Sequence, residues 1–338
     1  MPETPSRSKA TRNDVAALAG VSTAVVSYVV NNGPKRVAEE TAIRVRQAIE
    51  MLEYRPNAVA RSLKTGSIKT LGLVIPDGKN PYFMAVSTAV EAVARQRGYV
   101  VLSASSNLDP DVESAHLNVF EARGVDGVLL SSCVQGAALT GQAIPGLPMV
   151  FLDRSTAAGI NTVGVESRAG AFDAVQHLIE HGRQRIGLII GEDEYVTGDR
   201  DRISGWRDAL GAAGLPEGPV EFGDFSLSGG YSAGVRMFAR SDRPDGLFVS
   251  SDQQSIGVLR AAWEAGVRIP ADLALVSFDG IAESAFTCPA LTTVQQPIGQ
   301  LAEAAVDLVL RAAQQPSEIA HLRFSGDLAV RESCGCVN

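Results

Sequence analysis

The chain has 338 residues, of which 45% are hydrophobic and 20% charged, enough to build a small domain and one or two larger α/β lobes. No apolar stretch reaches membrane-spanning length, and the polar, basic start lacks the apolar region of a secretion signal, so we expect a cytoplasmic protein. Residues 1–69 carry 11 Lys and Arg against 6 Asp and Glu, whereas the remainder carries 19 against 32, which places an attraction for DNA phosphates at one end of the chain.

Three short helices are predicted within the first 53 residues. Thr11 is a candidate N-cap for a helix over residues 12–19, and Gly20 ends that helix. Ser22 then caps a second helix, and a third is predicted over residues 39–53. Apolar residues at helical spacing give each helix an inward face: Val15, Leu18 and Ala19 in the first, Val26, Val29 and Val30 in the second, and Val45, Ala48, Ile49 and Leu52 in the third.

The second predicted helix has an outer face suited to reading DNA. In a helix-turn-helix unit the second helix lies in the major groove, where its side chains reach base edges. Similar short patterns also occur in enzymes and helical bundles, but the basic charge of this segment favours DNA. The candidate DNA-binding residues are the outer face and the two caps: Thr11, Ser22, Thr23, Ala24, Ser27, Tyr28 and Asn31.

Several segments resemble the lactose-repressor family of bacterial regulators. The matching segments are AGVS at 19–22, VVNN at 29–32, VAEET at 37–41, YRPNAVARSL at 54–63, TLGLVIP at 70–76 and LAVRES at 328–333. The resemblance therefore covers nearly the whole chain. It implies a helix-turn-helix head, a hinge helix, and a two-lobed α/β effector domain with parallel sheets, of the kind seen in periplasmic binding proteins.

The resemblance also implies domain boundaries. The head would span residues 1–56, the hinge helix and linker 57–68, and the effector-binding and dimerisation domain 69–338. Lobe 1 would comprise about 69–165 and 296–325, and lobe 2 about 166–295 and 326–338. The chain would cross between the lobes near residues 165, 295 and 325, with a ligand cleft between them.

Residues 57–63 would make a weak helix by themselves, because Pro56 precedes them and only about two turns are available. In the family this segment folds when two copies pair on DNA, which implies a homodimer. Leu63 matches the family's wedging leucine, which inserts between base pairs and kinks the duplex. The matching Asn57, Ala58 and Ala60 would lie in the minor groove. A plain interdomain linker is the alternative interpretation.

From residue 70 onward, short apolar runs alternate with helical patterns, which predicts parallel sheets covered by helices. Open α/β sheets bind ligands at the carboxyl ends of their strands. The loops after residues 75, 152, 190, 250 and 278 are therefore the candidate ligand site.

These loops contain side chains suited to a ligand with several hydroxyl groups. Carboxylates and a guanidinium can bracket vicinal hydroxyls, and the chemistry selects Asp153, Arg200 and Asp279, which the resemblance also assigns to effector binding. The resemblance adds Phe225 as a stacking aromatic and Tyr82 and Phe83 as the aromatic pair of lobe 1. Ser251 stands where many family members have an asparagine, and Tyr28 where many have an arginine. Structural alternatives remain, namely a surface ion pair for Arg200, a turn cap for Asp153 and core packing for the aromatics.

We expect no metal and no cofactor. The four cysteines are interpreted as reduced thiols, because Cys334 and Cys336 lack the second pair that a zinc site would need. His177 and His181 are four residues apart without an HExxH context, which is typical of a solvated helix face.

The expected function is a homodimeric transcriptional repressor whose affinity for operator DNA is switched by a sugar or sugar derivative. One alternative is a regulator that depends on a corepressor, either a purine-like ligand or a partner protein. A sugar-binding protein without a regulatory role fits less well, because an exported receptor has no use for residues 1–63. An enzyme is not expected, since the sequence shows no nucleophile, metal-ligand or phosphate-loop pattern.

Overall fold

The computed structural model describes residues 10–31, 36–54, 66–133, 141–152, 159–191, 201–315 and 317–336, without the side chain of Asn31. The chain divides into two compact units, Met1–Ile68 and Lys69–Asn338.

The first unit is a head built on helices α1 (Arg12–Ala19), α2 (Thr23–Asn31) and α3 (Glu39–Met51). A capping box starts α1: Thr11 Oγ1 accepts a hydrogen bond from the backbone nitrogen of Asp14 at 3.4 Å, and Asp14 Oδ2 accepts one from the backbone nitrogen of Thr11 at 2.8 Å. Gly20 ends α1 in the left-handed conformation, at φ 65°.

The three helices enclose a small core whose buried members are Val15, Ala16, Ala19, Val26, Val45, Ala48 and Tyr54. The prediction that Leu18 belongs to this core is wrong, because its side chain is 50% exposed. The buried face of α1 is centred between Ala16 and Ala19, and Leu18 lies about 130° from that centre around the helix. Among the described residues no single helix is long and apolar enough to cross a membrane, and only α1 and α2 up to Val30, a pair bent by 103°, pass that test jointly.

The second unit contains two six-stranded sheets. The first sheet consists of β1 (Thr70–Ile75), β2 (Val100–Ser105), β3 (Gly127–Leu130), β4 (Met149–Leu152), β5 (Asn161–Val165) and β11 (His321–Phe324), in the order β11-β5-β4-β3-β1-β2. The second sheet consists of β6 (Ile186–Ile190), β7 (Val220–Phe222), β8 (Gly246–Val249), β9 (Ala274–Asp279), β10 (Thr292–Gln295) and β12 (Asp327–Ala329), in the order β12-β10-β9-β8-β6-β7. All pairings are parallel except that of β12 with β10. The chain passes between the sheets after β5, β10 and β11, that is, after residues 165, 295 and 324.

Helices cover both sheets, and the apolar strand runs are buried because both faces of each sheet are covered. The helices of this unit are α4 (Pro81–Gln96), α5 (Pro110–Arg123), α6 (Ser167–Glu180), α7 (Asp201–Ala212), α8 (Leu227–Ala239), α9 (Asp252–Glu264) and α10 (Ile298–Ala312), with short 3-10 segments at Ala282–Phe286 and Glu332–Cys334. In the first sheet, α4 and α10 pack on one face and α5 on the other. The predicted α/β fold with two lobes is confirmed.

Candidate functional site

The N-terminal end of α2 presents the predicted base-reading residues to solvent. Thr23 and Ala24 are exposed, and Ser27 and Tyr28 are half-buried on the next turn. Val26 is fully buried in the head core, so the inner face of the helix fixes which residues point outward. An exposed helix N-terminus also carries a partial positive charge that suits phosphate and base acceptors.

The two capping residues have structural roles in the head. Thr11 donates two hydrogen bonds to the carboxylate of Asp14, one from its backbone nitrogen and one from its hydroxyl. Both lower the pKa of that carboxyl below its usual value, and the bond from the backbone nitrogen has the larger effect. Ser22 Oγ accepts a hydrogen bond from the backbone nitrogen of Val25 at 3.4 Å. The remaining predicted DNA contacts lie outside the described residues, namely the side chain of Asn31 and the hinge positions Asn57, Ala58, Ala60 and Leu63.

A buried chain of polar side chains joins the two lobes of the second unit. Tyr82 Oη, at the start of α4 in lobe 1, donates to Gln296 Oε1 at 2.8 Å. Gln296 Nε2, in the crossing after β10, donates to Asp279 Oδ1 at 2.9 Å. Arg202 Nη2 in turn lies 3.7 Å from Asp279 Oδ1. All four residues are at most 8% exposed, so little water surrounds them. In such a site of low dielectric constant each hydrogen bond is stronger than it would be in water.

Arg202 is the positively charged member of this series of polar side chains. Its Nη1 donates to the carbonyl oxygen of Ser250 at 2.7 Å, and its guanidinium lies 4.2 Å from the centre of the Phe278 ring. The two contacts hold the guanidinium at the carboxyl ends of β8 and β9. A planar fork of donors in this position can bind hydroxyl oxygens of a ligand.

The backbone presents Asp279 in a strained conformation. Its φ is 114°, which an L-residue rarely adopts and which costs on the order of 1 to 3 kcal/mol. Gly280 continues the turn at φ 73°, and a Cβ there would lie 2.6 Å from Gln295 Cα. Behind the turn, Asp252 Oδ2 accepts from the backbone nitrogen of Ile281 at 2.8 Å. Strain of this kind persists where the surrounding structure holds a functional group in place.

Burial raises the pKa of Asp252, although the hydrogen bonds that its carboxyl accepts act in the opposite direction. Its Oδ1 accepts from Thr293 Oγ1 at 2.7 Å, so this carboxyl ties β10 to the loop after β9. We interpret Asp252 as a residue that positions the Asp279 turn.

The aromatic candidates lie at strand ends in both lobes. Tyr82 and Phe83 form an edge-to-face pair with ring centres 5.2 Å apart. They border an apolar pocket that also includes Ser131 and Leu152, at the carboxyl ends of β3 and β4. In lobe 2 the half-buried ring of Phe225 packs over Gly191, where a Cβ would lie 2.5 Å from the ring.

Three further residues are predicted to bind the effector, namely Asp153, Arg200 and Ser251. Asp153 and Arg200 lie outside the described residues. Ser251 is 1% exposed and caps α9, where its Oγ accepts from the backbone nitrogen of Gln254 at 3.2 Å and lies 3.1 Å from Gln254 Oε1. Its hydroxyl is thus used within lobe 2, and effector contact by Ser251 remains only a sequence-based prediction.

Two residues of this site, Arg202 and Gln296, were not predicted from the sequence. The buried residues of α7 are Arg202, Ile203, Gly205, Trp206, Ala209 and Leu210, so the apolar spacing of this helix carried a signal that Arg202 faces inward. Gln296 had a weaker signal, because it lies between β10 and α10 at a strand end that is not among the candidate loops selected from the sequence.

Comparisons with known proteins match both units. A family model for bacterial regulatory proteins of the lacI family matches residues 11–57, and one for a periplasmic binding protein-like domain matches residues 175–334. The ribose operon repressor of Escherichia coli (strain K12) is 34% identical over 313 residues, which cover 91% of this chain and 94% of that repressor.

Solved structures resemble this chain over most of its length. The crystal structure of the lac repressor dimer bound to operator and the anti-inducer ONPF has a TM-score of 0.85 and 26% identity, and covers 97% of this chain and 99% of that one. A LacI family transcriptional regulator from Enterococcus faecium with bound ribose has a TM-score of 0.70 and 26% identity, and covers 80% of this chain and all of that one. The chain therefore belongs to the lacI family of bacterial regulatory proteins, and is a DNA-binding transcriptional regulator with a domain for a small-molecule effector.

Proposed function

We propose that this protein is a homodimeric repressor that binds operator DNA through α2 and the hinge segment, and that a sugar or sugar derivative bound between the two lobes sets its operator affinity. It acts by binding rather than by catalysis, and it works in the cytoplasm, where operator DNA lies. The observation that carries the proposal is the buried series of polar side chains from Tyr82 to Arg202, which links the lobes through two hydrogen bonds and an ion pair.

This series of polar contacts offers a physical route by which a ligand switches operator affinity. A ligand that supplies hydroxyl groups to Arg202 and Asp279 competes with the contacts these residues make with each other and with Gln296. Because Gln296 also accepts from Tyr82 of lobe 1, such competition changes the relative stability of different lobe arrangements. A ligand shifts a conformational equilibrium only through such differences in binding free energy.

The side chains at this site favour a sugar. Sugar rings combine several hydroxyls with apolar ring faces, and the site combines a guanidinium, a carboxylate and an amide with aromatic rings. The ribose operon repressor and the ribose-bound regulator support the same ligand class. The lac repressor dimer on its operator supports the homodimer.

A thermal-shift screen of the purified protein tests the ligand class. We expect a pentose or hexose to raise the melting temperature, because a ligand that binds only the folded state stabilises it. Purine bases and nucleosides serve as the comparison set. Stabilisation by a purine and by no sugar would contradict the proposed ligand class and favour a corepressor.

A further inference from the structure

A cluster of two imidazoles and a thiol lies outside the effector site. His177 is in the last turn of α6, His181 directly follows that helix, and Cys336 lies just after the 3-10 segment Glu332–Cys334. Their ligand atoms all lie within 4.8 Å of one another. The chain separates Cys336 from the histidines by 155 and 159 residues, so the cluster depends entirely on the fold.

The geometry of the cluster matches a tetrahedral metal site. Cys336 Sγ lies 3.6 Å from His177 Nε2 and 3.2 Å from His181 Nε2. Zinc bonds of about 2.1 Å to nitrogen and 2.3 Å to sulfur, at the tetrahedral angle, separate the two ligand atoms by about 3.6 Å. The two imidazole rings are tilted by 52°, with centres 4.5 Å apart, so both can direct Nε2 toward one point near the sulfur.

Local structure supports a cation at this position. The C-terminal end of a helix carries a partial negative charge, and α6 ends at Glu180, between the two histidines. Gly335 adopts φ 98°, a conformation that other residues rarely adopt, and it turns the chain between Cys334 and Cys336. His181 is exposed and the other two residues are half-buried, which leaves a path for an ion to enter.

We propose that His177, His181 and Cys336 bind a zinc ion, with a fourth position left for water. Thiolate and imidazole ligands together select zinc over magnesium or calcium. The bound ion would tie residues 332–336 to the end of α6. His181 lies shortly before β6 begins, at the edge of the second sheet opposite to the carboxyl ends that hold Asp279, so the metal site is separate from the effector site. This proposal replaces the expectations of a solvated histidine pair and of no metal.

Titration with Zn²⁺ and Co²⁺ under reducing conditions tests the proposal, using full-length protein stripped of metal with a chelator. We expect one ion per chain, and a thiolate-to-cobalt charge-transfer absorption on adding Co²⁺. Cys336→Ser should remove that absorption and weaken Zn²⁺ binding by at least about 100-fold, because the thiolate is the strongest ligand. His177→Ala should weaken Zn²⁺ binding while leaving the absorption in place at saturating Co²⁺.

Three control variants separate a metal site from a hydrogen-bonded cluster. Cys288→Ser changes an exposed cysteine elsewhere, and His116→Ala changes a histidine outside the cluster, so both should bind metal like the wild type. Cys334→Ser changes the buried neighbouring thiol, which donates to the carbonyl of Arg331 at 3.3 Å, and should keep Zn²⁺ binding within about tenfold. Thermal denaturation without metal confirms that each variant is folded. Absence of the cobalt absorption in the wild type, or equal Zn²⁺ affinity of wild type and Cys336→Ser, would overturn the proposal.

Discussion

Arg202→Ala is expected to lower effector affinity at least about tenfold and to reduce the free energy of unfolding by about 3 to 5 kcal/mol. Loss of a charged hydrogen bond to a desolvated ligand hydroxyl is worth about 1.5 to 3 kcal/mol of binding. Removal of the guanidinium also removes the ion pair with the buried Asp279 carboxylate and the hydrogen bond to the carbonyl oxygen of Ser250. Urea denaturation and calorimetric titration with the effector measure the two losses.

Arg207→Ala provides a matched control on the same helix. Arg207 pairs with Glu217 at 3.0 Å, but both side chains are about half exposed, so this change should alter stability by less than about 1 kcal/mol and leave effector affinity unchanged. Asp279→Asn keeps the shape of the carboxyl but removes its charge. Combined with Arg202→Ala, it should destabilise less than the sum of the single changes, because the two residues interact directly and their ion pair is lost only once. Wild-type effector affinity in a folded Arg202→Ala protein would remove Arg202 from the ligand site.

Tyr28→Arg is expected to change the operator sequence that the protein prefers. An arginine at this half-buried position on α2 can make two hydrogen bonds to guanine, which tyrosine cannot, and such a contact discriminates between bases by about 1 to 3 kcal/mol. In a dimer the change should affect one symmetric pair of operator positions. Selection of binding sites from a randomised DNA library measures the preference directly.

Gln47→Arg adds the same charge at an exposed position of α3 and controls for simple attraction to phosphates. It should raise affinity for all sequences without changing the preferred one, since phosphate contacts do not distinguish bases. If Tyr28→Arg selects the same sites as the wild type, residue 28 does not read bases.

The apolar runs predicted the parallel sheets because strands buried on both faces leave a strong apolar signal, whereas the crossings were implied only by the family resemblance. The runs at residues 71–75 and 186–190, for example, are strands β1 and β6, with residues that are almost fully buried. In the head, by contrast, Leu18 shows that spacing alone does not fix the centre of a short helix face. The better buried residue there, Ala16, carries too little hydrophobic surface to stand out in the sequence.

The polar site could be predicted only in part. Asp279 could be predicted because it is a carboxylate at the end of a buried strand. The selection of Arg202 depends on which direction its side chain faces at the start of α7, where each residue corresponds to a rotation of about 100° around the helix. The contacts of Gln296 with Tyr82 and Asp279 span 214 and 17 residues and arise only when the lobes are assembled.

The histidine and cysteine cluster could not be predicted from the sequence either, because its members are far apart in the chain and meet only in the folded protein. His177 and His181 share a helix face, which the spacing predicts, but nothing local indicates that the end of the chain returns to that face. Pairing of β12 with β10 brings the last residues back to the second sheet. This long-range strand pairing therefore brings the histidine pair and the segment with Cys336 together into one site.

Operator affinity with and without the stabilising sugar tests the central claim most directly. Fluorescence anisotropy of labelled operator DNA should show a change in affinity of about 5- to 150-fold when the sugar is present, the usual range for coupling between two sites. The affinity for the sugar should change by the same factor when operator is added, because coupling of binding free energies is reciprocal. A sugar that binds the protein tightly but leaves operator affinity unchanged would contradict regulation through this site.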